Sequence, residues 1–548
     1  MTKTIKTETF TSRHTVMKPS YPDEMKKQGS SPHRHSFCVT SKQMQAIEAQ
    51  LFDAGFPVAA LMEKVAGRIA DYWAQHWDRS YEVGVLVGPG HNGGDALVVA
   101  RELHLQGYGV KIYGPFERCK SLTMDHGRYC RSLGIPWYQT WSELEANLGQ
   151  RCRLLDGLFG FGLSRPISEE VATAITRINH SNMPVVSIDL PSGIHTDSGE
   201  ALGIAVKADI TLCLGLWKRA CLQEIAQPYL GHTELIDFDI PLANIEAVLG
   251  VTPKVQRLTP GRALRTLPLQ RSPVAHKYTV GQLLAIAGSR QYAGAALLTG
   301  HGAMASGVGM VTLVVPETIR PSMVAQLPGA LVIGAEETAT GEIATLPPLD
   351  LDRYDTIACG PGLAQVDWLS DILASSPPLL LDADGLNSTT AEQLTKRLGP
   401  TVITPHPGEF RRLFPELISG HDGALQAAQQ TGTMVVLKGA KVAIASGDRL
   451  WLNPHSTPAL ARGGSGDVLT GLMGGLMAQK IVNVNRGQRQ KSTPANSTDA
   501  VLEAAIGAVW WHAQAGLYAE QQRTVLGVDP LQLAQSLDPA LANYLANK

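Results

Sequence analysis

The stretch Val83-Gly-Val-Leu-Val-Gly-Pro-Gly-His-Asn-Gly-Gly-Asp95 starts with a short apolar run and continues into a glycine-rich loop. The apolar run, residues 83–87, is typical of a buried parallel strand. We predict a loop over residues 88–94 and a helix over residues 95–105, where apolar side chains recur at helical spacing. A strand, a glycine loop and a helix in this order predict an α/β fold built on a parallel sheet.

Similar apolar segments recur along the chain and alternate with helical segments, which extends the α/β prediction to most of the protein. In the first half they cover residues 110–113, 154–156, 185–189 and 210–214. In the second half they cover residues 282–287, 311–315, 356–358, 379–382, 401–404 and 434–437. No internal repeat is visible, so the two halves are predicted to be different α/β domains.

Composition shifts divide the chain into segments. Residues 1–36 are polar and are predicted to form a disordered extension. Thr40 and Gln43 have the spacing of a capping box, which predicts that order begins there. We expect domains at residues 37–245 and 274–540, a proline-rich irregular linker at residues 246–273, and a polar, solvated insertion at residues 482–499.

Charge and cysteine content exclude several classes of protein. The chain has 548 residues and a formal net charge of −2, which argues against a nucleic-acid binder. No apolar run has the length of a membrane span, and the N-terminus has no signal-peptide core. The 7 cysteines form no C-x-x-C pair, which favours reduced thiols in the cytoplasm over disulfides or a zinc site.

The first glycine loop, Gly88-Pro-Gly-His-Asn-Gly-Gly94, contains a G-x-G-x-x-G pattern before a predicted helix. Such a loop lets backbone N–H groups approach a phosphate, although the same glycines also suit a tight turn. A redox Rossmann domain would place an acid at the end of the next strand. The nearest acid, Glu117, lies several residues too late, so that class is poorly supported.

Further polar residues follow the predicted strands of the first half. Asp156, Asp189 and Lys218 lie at or beyond strand ends, which converge on one crevice in an open parallel sheet. Asn92, Asp156 and Ser192 offer oxygen atoms that could hold a monovalent or divalent cation. Taken singly, Asp156 and Asp189 could equally well cap the turns that follow them.

The second glycine loop, Gly463-Gly-Ser-Gly-Asp-Val-Leu-Thr-Gly471, precedes an apolar helix over residues 468–477. Its free N–H groups would form an anion cradle, and Asp467 could accept a proton from a hydroxyl that attacks phosphorus. The loop lacks the Gly-Lys-Ser/Thr ending of a Walker A loop. The alternative is a helix start that is capped and has no catalytic role.

Supporting motifs precede this loop in the second half. They are Gly360-Pro-Gly362, Asp382-Ala-Asp-Gly-Leu-Asn387, Thr404-Pro-His-Pro-Gly-Glu409 and Lys438-Gly-Ala-Lys441. The two lysines of the last motif could contact nucleotide phosphates. His406 stands between two prolines at a strand end, where it could either position a substrate or serve the structure alone.

These motifs give the second half a resemblance to the ribokinase-like superfamily, and within it to the NAD(P)H-hydrate dehydratases. The resemblance also uses His276-Lys277, Gly288-Ser-Arg290 and Gly294-Ala295. The first half resembles the NAD(P)H-hydrate epimerase domain, which has a Rossmann-like three-layer αβα fold. That likeness is carried by Asn92-Gly-Gly-Asp95, Gly160 to Pro166 and Ile188-Asp-Leu-Pro-Ser-Gly193. The family loop has Asn and Gly where this chain has His91 and Ala96.

The resemblance implies roles for individual residues, and those of the epimerase half come first. Hydrated dinucleotide contacts fall on His91, Asn92, Gly93, Gly94, Asp95, Gly160, Phe161, Gly162, Leu163, Ser164, Arg165, Pro166 and Asp189. A potassium ion falls on Asn92, Asp156 and Ser192. In the dehydratase half, hydrate contacts fall on Ala295, Gly362, His406 and Asp467, and nucleotide contacts on Lys438, Gly439, Ala440, Lys441, Val442 and Gly466. Asp189 and Asp467 are the expected catalytic residues.

The implied function is repair of hydrated NADH and NADPH. One half would interconvert the R and S hydrates, and the other would dehydrate the S hydrate with ADP and Mg²⁺, releasing AMP and phosphate. We expect a cytoplasmic homo-oligomer that acts on small molecules and binds neither nucleic acid nor membranes. Two rival interpretations are a small-molecule kinase with a stable phosphorylated product and a first half that only binds a ligand or protein.

Overall fold

The computed structural model describes residues 34–364, 366–487 and 494–547. Most of the predicted disordered extension, residues 1–33, lies outside this range, and residues 34–36 form a 3₁₀ helix, Arg34–Ser36. Residues 488–493 of the predicted insertion also lie outside it. The flanking parts of that insertion belong to helices rather than to a loop.

The N-terminal half contains a seven-stranded sheet of order β4-β3-β2-β5-β6-β7-β9, in which all neighbours are parallel. A separate parallel ribbon joins β1 to β8. The strands are β1 Cys38–Val39, β2 Glu82–Val87, β3 Val110–Tyr113, β4 Trp137–Tyr138, β5 Cys152–Gly157, β6 Val185–Ile188, β7 Ile210–Leu214, β8 Trp217–Lys218 and β9 His232–Ile236. The helices are α1 Ser41–Asp53, α2 Val58–His76, α3 His91–Leu105, α4 Ser121–Ser132, α5 Trp141–Asn147, α6 Glu169–His180, α7 Gln227–Leu230 and α8 Leu242–Leu249. The predicted capping box at Thr40 is confirmed.

Helices cover both faces of this sheet, as alternation along β2 shows. Val83 and Val85 pack with α1, α2 and α3, whereas Leu86 points to the opposite face and packs with α5 and α6. Successive side chains of a strand point to opposite faces, so an all-apolar strand needs cover on both sides. The expected Rossmann-like three-layer αβα architecture of the first half is therefore confirmed.

The C-terminal half contains a ten-stranded sheet of order β10-β19-β18-β17-β16-β15-β14-β11-β12-β13. Its strands are β10 Val255–Arg257, β11 Gln282–Ile286, β12 Met310–Pro316, β13 Leu331–Ala335, β14 Thr356–Cys359, β15 Leu379–Leu381, β16 Thr401–Ile403, β17 Met434–Leu437, β18 Ala443–Ser446 and β19 Arg449–Leu452. Only the β17–β18 and β18–β19 pairs are antiparallel. The six predicted strands are confirmed.

The described part of this half also contains eleven α-helices. They are α9 Pro260–Thr266, α10 Ala293–Ala305, α11 Arg320–Gln326, α12 Leu369–Ala374, α13 Ala383–Asn387, α14 Ala391–Lys396, α15 Pro407–Leu413, α16 His421–Thr431, α17 Ser465–Gly487, α18 Pro494–Gln522 and α19 Pro530–Ala546. Leu283 packs with α17 and α18 on one face, while Leu284 packs with α16 on the other. This half is also a three-layer α/β domain.

Two further local predictions, on the first glycine loop and on the linker, are also wrong. Helix α3 begins at His91, so Gly93 and Gly94 lie in its first turn and not in a loop. A Cβ on Gly93 would lie 1.9 Å from the carbonyl oxygen of Gly88, so this glycine serves close packing. The irregular linker expected at residues 246–273 instead contains the end of α8, strand β10 and helix α9. Pro260 occupies the first turn of α9, where proline is well tolerated.

The two halves share an interface near β1 and β8. Phe37 bridges to Gln256 of β10, and the Arg257 guanidinium lies over the Trp217 ring at 4.6 Å. Cys38 and Leu222 of the first half are buried in the core of the second. Among the described residues, no helix combines the length and apolar character needed to cross a bilayer.

Candidate active sites

A buried ion pair lies at the carboxyl ends of the N-terminal strands. Asp189 directly follows β6, and its Oδ1 atom lies 2.5 Å from Nζ of Lys218. The Asp189 carboxylate also accepts hydrogen bonds from the backbone N–H groups of Phe161 (2.8 Å) and Leu214 (3.3 Å). Its φ of +68° lies in the left-handed region, so the turn after β6 is strained to present this side chain.

Two further carboxylates, Glu48 and Asp95, belong to the same electrostatic cluster. Burial, reinforced by Asp189, raises the pKa of Glu48 to about 7, although Lys218 opposes the shift. Burial and the charges of Asp189 and Glu48 raise the pKa of Asp95 well above its usual range. Burial lowers the pKa of Lys218, but the attraction of Asp189 outweighs it, so the pKa is raised overall. The cluster therefore combines one fixed ion pair with two acids that hold protons readily.

Asp156, a further buried carboxylate, lies at the end of β5 in the same half. It is fully buried and accepts four hydrogen bonds, from the Ser187 hydroxyl (2.8 Å), the Ser192 hydroxyl and N–H (2.6 and 2.9 Å) and the Leu158 N–H (3.2 Å). Burial raises its pKa, and these hydrogen bonds act in the opposite direction. No lysine or arginine among the described residues pairs with it. The Asn92 amide nitrogen is also buried without a hydrogen-bond partner.

The predicted substrate loop Gly160 to Pro166 divides into two parts. Gly160 lies between Asn92 and Asp189, since a Cβ there would be 2.9 Å from Asn92 Oδ1 and 3.2 Å from Asp189 Oδ2. The Gly162 N–H donates to Thr196 Oγ1 at 3.3 Å. Ser164, Arg165 and Pro166 are exposed, and Leu163 is half-buried. The structure thus brings the first part of the loop to Asp189, and the second part forms an outer rim.

His91 stands at the exposed N-terminus of α3. Its Nε2 atom lies 3.4 Å from Nζ of Lys120, which follows the next strand. Burial lowers the pKa of His91, and the charge of Lys120 adds to this effect. The ring is therefore biased towards its neutral form at the rim of the site.

A second Asp–Lys pair lies at the carboxyl ends of the C-terminal strands. Asp382, directly after β15, accepts from Lys438 Nζ at 2.6 Å and from the Thr470 hydroxyl at 2.7 Å. Burial lowers the pKa of Lys438, but Asp382 and Glu409 raise it overall. A Cβ on Gly466 would lie 3.6 Å from Lys438 Nζ, so the glycine loop and the lysine are adjacent.

Asp467 lies in the first turn of α17, which begins at Ser465 rather than at the predicted Val468. Its carboxylate has no hydrogen bond or ion pair to any described residue. Burial and the neighbouring charge of Asp382 raise its pKa to about 6, although Lys438 opposes the shift. It is therefore a free carboxylate whose pKa suits proton transfer near neutral pH.

The predicted hydrate contacts of this half lie in two places. Ala295 and Gly362 are neighbours, because a Cβ on Gly362 would lie 2.7 Å from that of Ala295. His406 caps α15, where its Nδ1 atom accepts from the N–H groups of Gly408 (2.9 Å) and Glu409 (3.2 Å). The cap gives His406 a structural role, and its side chain is 58% exposed, so its far edge can still meet a ligand.

The predicted nucleotide loop, Lys438 to Val442, follows β17 and reaches the interface between the halves. Lys441 points away from Lys438, and its Nζ atom donates to the carbonyl oxygen of Pro454 at 2.6 Å. Burial, with Arg257 nearby, lowers the pKa of Lys441 to about 8. The Ala440 N–H donates to the Glu224 carboxylate at 3.1 Å.

Sequence reasoning missed residues that join these sites from distant segments. Glu48, Lys120, Thr196, Glu224, Thr470 and His512 belong to this set. All but Thr470 lie outside the glycine motifs, so no local spacing indicates their roles, and Thr470 stands in the second glycine loop without a pattern that assigns it to Asp382. Lys218 is a partial exception, because its position beyond a strand end is visible in the sequence.

Two different family models match separate parts of the chain. The family model of the YjeF-related protein N-terminus matches residues 58–220, and that of the NAD(P)H-hydrate dehydratase matches residues 283–539. Among solved structures, an ADP/ATP-dependent NAD(P)H-hydrate dehydratase of Bacillus subtilis, co-crystallised with ATP and Mg²⁺, is 30% identical. It covers 53% of this chain and 98% of its own, with a TM-score of 0.41.

Full-length relatives span both matched regions. The bifunctional NAD(P)H-hydrate repair enzyme Nnr of Thermosynechococcus vestitus is 49% identical over 519 residues, which cover 93% of this chain and 98% of that protein. The protein of the same name in Synechocystis is 50% identical over 521 residues, covering 92% and 95%. The chain belongs to the family of bifunctional NAD(P)H-hydrate repair enzymes.

Proposed function

We propose that the C-terminal half dehydrates the S form of hydrated NADH and NADPH with ADP, and that the N-terminal half interconverts the R and S forms. The observation that supports this most is Asp467, an unpartnered carboxylate on a glycine loop beside Lys438. Such a group can take a proton from an alcohol, and the loop can bind the phosphoryl group that the alcohol attacks.

In the dehydration step, the hydroxyl oxygen of the S hydrate attacks the terminal phosphorus of ADP. The O–H proton goes to Asp467, and the bond from that phosphorus to the bridging oxygen breaks to release AMP. The N–H groups of Gly466 and its neighbours stabilise the charge on the moving phosphoryl group. Phosphate then leaves with its C–O electron pair while the ring loses a proton, which restores the double bond of NADH or NADPH.

We assign the hydrate to Ala295, Gly362, His406 and Asp467, and the nucleotide to Lys438, Gly439, Ala440, Lys441, Val442 and Gly466. Lys438 is held by Asp382 in front of the glycine loop, which suits contact with a phosphate. Lys441 would act through its backbone, because its ammonium group points away from Lys438. Mg²⁺ would neutralise and bridge the nucleotide phosphates when bound.

In the N-terminal half, we assign the hydrate to the first turn of α3, to the loop from Gly160 to Pro166 and to Asp189. Epimerisation at the hydroxylated carbon needs protons to move to and from the hydroxyl group or the ring nitrogen. Asp189 is our candidate catalytic residue. Its ion pair with Lys218 holds the carboxylate in position.

We propose that a potassium ion binds at Asn92, Asp156 and Ser192. The residues fit a cation, because Asp156 is a buried carboxylate without a basic partner and Asn92 has an unsatisfied buried amide. An amide and its carbonyl exchange places by a simple rotation, so Asn92 can present oxygen. The domain bounds 37–245 and 274–540, the cytoplasmic location and the homo-oligomer stay predictions.

The test uses a mixture of R and S NADH hydrates with the purified protein, Mg²⁺, K⁺ and ADP. We expect complete return of the reduced-nicotinamide absorbance, release of AMP and a slower reaction with ATP. Asp467→Asn should abolish this return, and Asp189→Asn should stop it after the S fraction. A stable phosphorylated product would support the small-molecule kinase, and R-hydrate turnover in Asp189→Asn would contradict the assignment of that residue.

A further inference from the structure

Glu224 belongs to the epimerase half but touches the proposed nucleotide loop of the dehydratase half. It begins the 3₁₀ helix Glu224–Ala226, shortly after Lys218 of the first site. Its Oε2 atom accepts a hydrogen bond from the Ala440 N–H at 3.1 Å. The contact joins residues 216 positions apart in the sequence.

Gly439 permits this approach. A Cβ at that position would lie 2.4 Å from Glu224 Oε2, so any larger residue would push the carboxylate away. The glycine therefore admits an acidic side chain into a loop to which we assign the nucleotide. An N–H group at such a loop is the kind of donor that a phosphate also uses.

The backbone that carries Glu224 is fixed against the second half. Leu222 is buried in the core of the C-terminal half, and Arg219 pairs with Asp422 at 2.5 Å. Both residues lie on the 3₁₀ helix Arg219–Leu222 just before Glu224, so these contacts fix the backbone from which its side chain extends. The Glu224 carboxylate is thus held at the surface of the loop formed by residues 438–442.

The charge of Glu224 is not neutralised by the neighbouring lysines. Lys438 pairs with Asp382, and Lys441 turns to the carbonyl of Pro454. Glu224 itself has no ion pair with any described basic residue and is exposed to solvent. A negative charge therefore remains at the edge of the loop, where it repels an anionic ligand.

We propose that Glu224 is a specificity-determining residue of the nucleotide site, which disfavours nucleotides in proportion to their negative charge and so favours ADP over ATP. The proposal rests on the assignment of the nucleotide to residues 438–442. It makes the epimerase half a contributor to the co-substrate choice of the dehydratase half. The physical basis is repulsion between like charges, which is stronger for the triphosphate.

The experiment measures the binding of ADP and of ATP to the full chain by calorimetry, with Mg²⁺ present and without hydrate. Glu224→Gln keeps an acceptor for the Ala440 N–H but removes the charge. We expect it to tighten ATP binding about fivefold and ADP binding by only about twofold, the size of a solvent-screened charge contact. Glu224→Ala should change the ADP constant and the ATP constant by about the same factors as Glu224→Gln does. In the parent protein, preference for ADP should weaken as KCl is raised.

Glu170→Gln is the matched control, since it removes one exposed negative charge from α6 of the same half, and Glu170 makes no hydrogen bond or ion pair with any described residue. It should leave both binding constants unchanged. An unchanged ADP-to-ATP ratio in Glu224→Gln, or equal weakening of both nucleotides, would overturn the proposal. If the parent protein bound neither nucleotide, the assignment of the loop itself would be wrong, which is a separate result.

Discussion

The two sites each contain a buried Asp–Lys pair, yet they use it differently. In the N-terminal half the pair is sealed, with exposures of 3% for Asp189 and 0% for Lys218. In the C-terminal half Lys438 is 22% exposed and faces the glycine loop, while Asp382 is buried beneath it. Both side chains of the first pair are shielded from solvent, whereas the lysine of the second pair is accessible to a ligand.

The two sites also differ in their carboxylates that form no ion pair. The C-terminal site has Asp467 in the glycine loop, next to its open pair. The N-terminal site has Glu48 and Asp95 near its sealed pair, and both have raised pKa values. A sealed pair fixes charge and geometry, whereas a free acid of raised pKa exchanges protons. In the C-terminal site the unpaired Asp467 moves the proton, whereas in the N-terminal site Glu48 and Asp95 can exchange protons beside the fixed carboxylate of Asp189.

The largest effect should come from Asp467→Asn, which removes the free acid and keeps the shape of the site. We expect kcat for S-hydrate dehydration to fall about 10²- to 10⁴-fold, because a positioned base contributes that much to proton transfer. R-to-S exchange, followed by chromatography, should not change. In the parent protein kcat/KM should fall as the pH drops below about 6, since the Asp467 pKa of about 6 sets the fraction of free base. A loss below tenfold would remove Asp467 from the chemistry.

The second largest effect should be a loss of stability when the buried Asp189–Lys218 pair is broken. Lys218→Met leaves Asp189 buried without its partner, which should cost about 3–5 kcal/mol of unfolding free energy. Lys438→Met should cost less, because Lys438 is itself 22% exposed, so water can take its place beside Asp382, which also keeps the Thr470 hydrogen bond. Urea unfolding, followed separately for each half, measures both. Equal losses would show that the two pairs do not differ in the way described.

A smaller effect should follow from Glu48→Gln. Its folded pKa of about 7 exceeds the ordinary 4.5, so the folded state binds the extra proton between these values. This proton linkage makes stability fall as the pH rises from about 5 to 7, and Glu48→Gln should remove that part of the fall. We also expect epimerisation to slow about tenfold and to lose an inflection near pH 7.

Glu170→Gln again serves as the control for Glu48→Gln, because it carries the same charge change on an exposed helix. Its pH profiles of stability and epimerisation should match those of the parent protein. Epimerisation by Glu48→Gln at the parental rate, with the same inflection, would restrict proton transfer to Asp189 and Asp95.

The smallest effect should come from the monovalent cation. Replacing K⁺ by Na⁺ should slow epimerisation severalfold, because the smaller ion fits the oxygen atoms of Asn92, Asp156 and Ser192 less well. Dehydration of pure S hydrate should not respond. A cation effect on dehydration alone would move the proposed ion to the other half.

The sequence predicts the fold well where local signals agree. Short apolar runs mark the strands that lead to the sites, because a strand buried on both faces needs apolar residues throughout. It fails at the starts of α3 and α17, where glycines of low helix propensity are helical. In α3 the Gly88 carbonyl leaves no room for a Cβ on Gly93. The short strand β10 was also missed, since its pairing with β19 depends on a distant segment.

The site residues also divide into those that the sequence reveals and those that only the tertiary structure reveals. Asp189 and Asp467 are recognisable because each stands in a motif whose spacing has a physical reason. Glu48 and Glu224 carry no such pattern, since α1 meets Asp189 and the 3₁₀ helix meets Ala440 only after the tertiary structure has formed. The accessibility and raised pKa of a carboxylate likewise depend on neighbours from several elements.

The pairing of β10 with β19 has a consequence for synthesis on the ribosome. Strand β10 leaves the ribosome before every other strand of its sheet, and β19 is the last of them to appear. Until then Cys38 and Leu222 of the N-terminal half lack the core that covers them. Long-range pairing of this kind slows folding and leaves apolar surface open to wrong contacts. The C-terminal sheet, and with it the cover for these two residues, is therefore completed only after β19 has left the ribosome, late in translation.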